Sequence, residues 1–269
     1  MFVLIRQISS KSRKNVNIEL NKIDLWLKTN KLSLNIEKTS FIIFTNRKLQ
    51  HNFKITIGSA IIKRQSQTKY LGIILDEHLT WTPHIQMLQK KMASAVWALS
   101  RLRNVASTKT LRTVYFGLVH SKLQYCISCW GSSPPSKLVK IMSLQKRALR
   151  VICKAPYLAH SEPLFKRQNI LKLDDLYVLQ VAVIVSKSIH GTWQGSFRPK
   201  PVTLVHQHET RYAKSGHFCI PKAYKEVFKR SIGFRGPSIW SKVPAGLKHL
   251  DTNAFKSKYK KALLDHYDV

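Results

Sequence analysis

The chain has 269 residues, carries 46 lysines and arginines against 13 aspartates and glutamates, and has a formal net charge of +33. That length buries the core of one or two domains, and the 44% apolar share is an ordinary globular one. A charge of this size spread along a folding chain repels itself unless it meets a polyanion. It therefore points to nucleic acid ahead of an anionic membrane, and away from a merely soluble basic surface.

The four cysteines, Cys126, Cys129, Cys153 and Cys219, are few and irregular. They fit a reducing, intracellular compartment, nucleus or cytoplasm. No apolar run approaches the ~18 residues a membrane span needs. The apolar start before Arg6 is too short for a signal peptide and reads as the end of a strand whose beginning is missing.

In chain order, Phe2 to Ile5 is a short strand. Ser9, Ser10 and Ser12 offer caps for a helix over residues 13–30. Val16, Leu20, Ile23 and Leu27 recur at helical spacing, and Trp26 widens their face. A turn at Leu34-Asn35-Ile36 then presents Lys38 and Thr39 ahead of a buried strand from Ser40 to Thr45. A lysine at a turn against a core strand can aim its ammonium at a fixed point.

Residues 46–52 read as a polar loop, and 53–62 as a hairpin about Gly58-Ser59. Tyr70 to Leu75 reads as one strand with Gly72 inside it, where another backbone or a ligand comes close. Such a half-sheet is expected to leave an exposed strand edge and an uncovered apolar face.

From Thr82-Pro83 the pattern turns helical. Ile85, Leu88, Met92, Ala95 or Val96, Leu99 and Leu102 form one stripe, with Lys90, Lys91, Arg101 and Arg103 as its basic residues. Leu111, Val114, Tyr115, Leu118 and Leu123 predict a second helix ending before Trp130-Gly131. Pro134-Pro135 separates it from a third, which carries Lys137, Lys140, Lys146, Arg147 and Arg150 and is closed by Pro156. A fourth runs from Asp174 to His190. Gly191 to Lys222 reads as a linker. Phe234 to Trp240 reads as a turn followed by an apolar anchor, and Asn253 to Tyr267 as a basic helix.

Several tempting chemistries fail on context. Asp174-Asp175 has the look of a metal-binding pair, but it stands where acidic residues favour a helix start. Cys126-Ile127-Ser128-Cys129 has the spacing of half a zinc site without a second half, so ordinary buried thiols are expected. His206-Gln207-His208 is as weak. Trp26, Trp81, Trp97 and Trp130 could stack bases. Trp26 and Trp97 lie along helical stripes and are expected in the core. One basic sign recurring on successive helices favours a groove that tracks phosphates.

The order of elements resembles a known family. Asp24-Leu25-Trp26-Leu27, Asn30 to Asn35 and Lys38-Thr39 with the following strand resemble the fourth palm motif of reverse transcriptases from non-LTR retrotransposons, the jockey-like elements above all. Tyr70-Leu71-Gly72-Ile73 with Leu79-Thr80-Trp81 and His84-Ile85 resembles the next motif, the primer grip. The likeness continues through Trp130-Gly131, Leu144 to Arg150 and Gly236-Pro237-Ser238-Ile239-Trp240, and so covers nearly the whole chain.

The resemblance implies an α+β fold. A partial polymerase palm of antiparallel strands and a helix (1–80) precedes a helical thumb (81–155), a helical connector (156–190) and a basic C-terminal extension (191–269). It implies that Lys38 serves the departing pyrophosphate. Tyr70, Leu71 and Gly72 would hold the primer end, and Lys90, Lys91, Arg101, Arg103, Lys146, Arg147 and Arg150 would follow an RNA, DNA or hybrid backbone. The Mg²⁺-binding aspartate motifs of the family are not in this sequence, so the expectation is a fragment that binds template–primer without a cofactor of its own and without polymerising. The alternative is a non-catalytic nucleic-acid-binding or host-adopted interaction protein.

Overall fold

A computed structural model describes residues 2–5, 10–45, 54–204 and 216–267. It divides the chain into two compact units, Met1–His84 and Ile85–Val269.

The first unit is built on a four-stranded sheet of order β1-β2-β4-β3. β1 (Phe2–Ile5) and β2 (Ser40–Ile43) pair in parallel, with Phe2 opposite Ser40 and Ile5 opposite Ile43. They must, because α1 (Ser10–Thr29) is a crossover between them, and a crossover returns the chain in the same direction. β4 (Ala60–Arg64) also runs parallel to β2, while β3 (Ile55–Ile57) closes an antiparallel hairpin with β4 about Gly58-Ser59. The sheet is thus mixed, which corrects the expectation of antiparallel strands. That expectation weighed each strand alone and overlooked the direction that the intervening helix imposes.

All four β2 residues are buried, as suits an inner strand covered on both faces. The uncovered apolar face expected of this sheet is therefore not found on β2. Phe41 and Ile43 join Leu20 of α1 with Ile55, Ile57 and Ile62 in one core, flanked by Val16 and Leu34. Residues 46–52, read as a loop, lie outside the described residues.

The stretch from Tyr70 to Leu75 is not one strand. β5 (Gln67–Tyr70) turns through Leu71-Gly72 into β6 (Ile73–Asp76), with Tyr70 opposite Ile73. Leu71 has φ 45° and Gly72 φ 83°, the left-handed pair of a two-residue hairpin turn. Gly72 is therefore a turn residue, needed for its positive φ, and not the mid-strand point of close approach inferred from the sequence. Asp76 ends β6 and organises the loop that leads into the next helix. Its buried carboxylate accepts from the backbone N–H of His78 (3.2 Å), Thr80 (2.9 Å) and Trp81 (2.9 Å).

The second unit is helical. α2 (Thr82–Arg101), whose residues from Ile85 belong to this unit, buries Leu88, Met92, Ala95 and Leu99 along one stripe. The expected second helix is broken: α3 (Thr108–Tyr115) widens into a single π turn at Phe116–His120 before α4 (Ser121–Gln124). Cys126, at φ 49°, then reverses the chain into α5 (Ile127–Trp130). α6 (Pro135–Ile152) starts on a proline, which needs no donor at that position.

α7 (Glu162–Gln168) was not foreseen, and α8 (Leu173–Ile189) is the central helix. Leu176, Leu179, Val181, Ala182, Val183 and Val185 of α8 are all buried, so it is apolar nearly all round and needs neighbours on every side. α5 and two C-terminal helices pack against it.

After α9 (Glu226–Lys229), the stretch read as a turn at Phe234 to Trp240 lies within α10 (Ile232–Ser241). The Gly236-Pro237 pair suggested a break because proline removes a helical donor. Packing overrides it, since Gly236 fits under Phe197 and Val185 with no room for a Cβ, and Trp240 is fully buried as the anchor expected. α11 (Thr252–Asp265) is the predicted basic helix, capped by Asp251, whose carboxylate accepts from the Ala254 N–H at 2.7 Å. The segment read as a linker is tied to this core where it is described: Pro201 bridges Phe218, and the Phe218 ring lies 6.5 Å from that of Trp240. No helix among the described residues is long and apolar enough to cross a membrane.

Candidate nucleic-acid interface

The residues expected to meet nucleic acid fall in both units. In the first, Asn35 shapes the turn that presents Lys38. The Asn35 side-chain oxygen accepts from the Lys38 N–H (3.0 Å), and its backbone oxygen accepts from the Thr39 hydroxyl (2.8 Å). Thr39 is buried while Lys38 is exposed, so the turn pins the backbone and leaves the ammonium in solvent. At the other hairpin tip, Tyr70, Leu71 and Gly72 are all exposed, Leu71 at 72%. An exposed leucine with positive φ carries two penalties, one of strain and one of solvation.

In the second unit, Lys90, Ser94, Trp97 and Arg101 stand at successive helical spacings and form the exposed face of α2, opposite the buried stripe. Trp97 is 64% exposed, with the Arg101 guanidinium 5.4 Å from its ring centroid. The core position expected for Trp97 is thus overturned, because Trp97 falls on the side of the helix opposite the buried Leu88, Met92, Ala95 and Leu99. Trp26 is also out of the core, 59% exposed on α1. Trp130 is buried and donates its indole N–H to the Tyr125 carbonyl at 2.9 Å. Trp81 is half-buried in the loop that Asp76 holds.

Two contacts lay α6 beside α2, pointing the same way: the Gln89 amide donates to the Lys137 carbonyl (3.4 Å), and Arg103 donates to the Ala155 carbonyl (3.1 Å). Lys91 and Arg147 are exposed. Arg103 and Arg150 each commit part of the guanidinium to the 155–159 loop, Arg150 donating to the Ala159 carbonyl at 2.8 Å. Lys146 is half-buried. Lys122 lies close enough to Lys91 for its ammonium to be pushed below the usual lysine range, by burial first and then by that charge.

A second basic cluster has no signal in the sequence, because its members come from distant stretches. Lys256 and Lys260 of α11 crowd His120, and Arg112 of α3 lies close to Lys260. Burial and then the charges of Lys260 and Lys256 bring His120 down to about 4. Arg112 sits 4.8 Å over the Phe116 ring. Lys260 is itself pushed below the usual lysine range, by burial first and then by the charges of Arg112 and Lys256.

The decoys resolve simply. Asp174 and Asp175 occupy the first turn of α8, as expected of a helix start, and the Tyr267 hydroxyl donates to Asp175. Cys126 is half-buried and Cys129 exposed, so the pair is not the buried one expected, and both thiols are free. His206 and His208 lie outside the described residues. Among the described residues no three His, Cys, Asp or Glu side chains are grouped to hold a metal ion.

The chain is 32% identical over 160 residues to a probable RNA-directed DNA polymerase from transposon BS of Drosophila melanogaster. It is 28% identical over 159 residues to the RNA-directed DNA polymerase from mobile element jockey of the same fly, and 29% identical over 160 residues to that of Drosophila funebris. The chain is thus similar to RNA-directed DNA polymerases of jockey-like, non-LTR elements, and a partial reverse-transcriptase region fits it. The likeness covers 58% of the chain and 17–18% of each of these relatives, so the chain spans less than a fifth of their length. No protein-family model matches it, and no solved structure matches it.

Proposed function

We propose that this reverse-transcriptase region binds the template–primer duplex through its sugar–phosphate backbone and, as residues 1–269 alone, does not polymerise. One observation carries the reading: Lys90, Trp97 and Arg101 share the outer face of α2, where an apolar ring and two cations stand together in solvent. A tryptophan gains nothing by exposure unless a partner covers it, and a cation-flanked aromatic suits a nucleotide strand. In this reading the unit from Ile85 supplies a thumb-like backbone contact. The Tyr70-Leu71-Gly72 tip abuts the primer end in the palm-like unit, and Lys38 faces the pyrophosphate side.

Fluorescence anisotropy with an RNA–DNA hybrid at increasing salt tests it. Affinity should fall steeply with salt, and Lys90→Gln should lower the log–log slope by about 0.9, one phosphate contact. Trp97→Ala should weaken binding by about 1–3 kcal/mol if its ring stacks on a base. Binding indifferent to salt overturns the backbone reading. Robust primer extension with Mg²⁺ by the purified chain overturns the non-polymerising part.

A further inference from the structure

Two sequence motifs have no part in that reading: Trp130-Gly131 and Gly236-Pro237-Ser238-Ile239-Trp240. The fold brings them together across α8. Between them lies a cleft of about 270 Å³ within the second unit, near the lower end of ligand-pocket sizes. Trp130 and Trp240, both fully buried, anchor its two sides. Gly131 has no room for a side chain, since a Cβ there would stand 2.6 Å from the Ile127 carbonyl oxygen and 2.7 Å from the Tyr177 ring. That close approach seats Ser132 and Ser133 on the cleft wall.

Four features give the cleft its chemistry. Arg235 of α10 and Lys242, the residue that caps its C-terminus, line it about two helical turns apart. The 18-residue helix α6 opens beside it at Pro135 with no side-chain cap and no acidic residue in its first turn, leaving the positive end of its dipole uncompensated. Ser133 is 5% exposed and its hydroxyl has no hydrogen-bond partner, the condition of a buried donor that lacks its acceptor. Asp174 lies on the α8 wall, and Leu138, Val178 and Ile239 supply an apolar strip.

We propose that this cleft binds one phosphorylated nucleoside. Arg235, Lys242 and Ser133 take the phosphate at the α6 terminus, Asp174 takes a sugar hydroxyl, and the base lies on the apolar strip. The ligand chemistry is shared by a free nucleotide and by the phosphorylated end of a strand. The site is separate from the outer face of α2 and stands independently of the duplex-binding reading.

The test is calorimetric titration of the full chain with adenosine 5′-monophosphate, adenosine, and a short oligonucleotide with and without a 5′-phosphate. The monophosphate should saturate a single site and adenosine should bind at least about tenfold more weakly, the worth of a charge-assisted hydrogen bond. Arg235→Gln should cost about tenfold for the same reason. Lys242→Gln changes an exposed side chain, so it keeps the fold and should weaken the monophosphate several-fold even if Arg235→Gln fails to fold. Preference for the phosphorylated oligonucleotide, lost in Lys242→Gln, assigns the strand end; saturation by the monophosphate alone assigns the free nucleotide. No saturable binding of the monophosphate, or equal binding by Lys242→Gln, overturns the proposal. Lys90→Gln should leave monophosphate binding unchanged, so loss of hybrid affinity in that variant and loss of monophosphate affinity in Lys242→Gln report on different sites.

Discussion

The two units solve the same burial problem in different ways. The helical unit wraps its neighbours around α8 and buries its largest side chains, Trp130, Trp240, Tyr115, Phe165 and Phe255, completely. The strand unit centres, among the described residues, on Leu20, Phe41, Ile43, Ile55, Ile57 and Ile62, and leaves Ile18, Leu25 and Trp26 of α1 exposed, with Ile61 of β4. A helix apolar on all sides recruits cover from every direction, whereas α1 brings Val16 and Leu20 to the core of the sheet among the described residues. Both units leave apolar side chains exposed, the helical one at Trp97, Leu158 and Tyr224 among others, so the contrast lies in how each unit covers its main helix.

The sharpest way to break this contrast is to cut each core. Trp240→Ala should destabilise the helical unit by about 3–5 kcal/mol, the cost of an aromatic truncation in a close-packed site. Denaturant titration followed by circular dichroism at the helical band would show it, and a cost under about 1 kcal/mol would mean that α8 and α10 are loosely packed. Gly131→Ala is a smaller cut at the same place. Its new methyl group must displace backbone or the Tyr177 ring, for about 1–3 kcal/mol.

A pH-dependent effect comes next. His120 is held at about 4, below the usual histidine value of 6.5, by burial and by Lys260 and Lys256. The unfolded chain therefore binds the extra proton first. Stability from the neutral imidazole is present above pH 6.5 and is lost as pH falls toward about 4. The melting temperature should drop over that window, and His120→Gln should flatten the drop; an unchanged profile in the variant would refute the assignment. Smallest of all, Trp26→Ala should stay within about 0.5 kcal/mol of the parent, as for a surface substitution. A large loss would show that the exposed face of α1 is covered, and the contrast between the units would fail.

Much of this fold is legible in the residues. The buried stripe of α2, the Gly58-Ser59 hairpin, the Asp174 helix start and the capped C-terminal helix all rest on local signals that tertiary packing does not oppose. Most of the misreadings come from a neighbour distant in sequence, and one from an unusual turn residue. The parallel direction of β2 comes from the crossover helix. The hairpin at Leu71-Gly72 hides within an apolar run because a leucine occupies a position that usually takes asparagine or glycine. Pro237 sits in a helix because α8 and Phe197 hold it there. Among the interface residues, the exposed α2 cations follow from helical spacing, while the commitment of Arg103 and Arg150 to the 155–159 loop does not.

Local pattern and composition by themselves determined a basic, mixed α/β chain, the span of its longer helices and its likeness to jockey-like polymerases. Each of these depends on residue type and on spacing within one element. Only the tertiary structure decided the strand directions, the exposure of Trp97, the crowding of His120 by Lys256 and Lys260, and the meeting of Gly131 with Ser238. Those depend on which faces are covered, and a face is covered by whatever the rest of the chain brings to it.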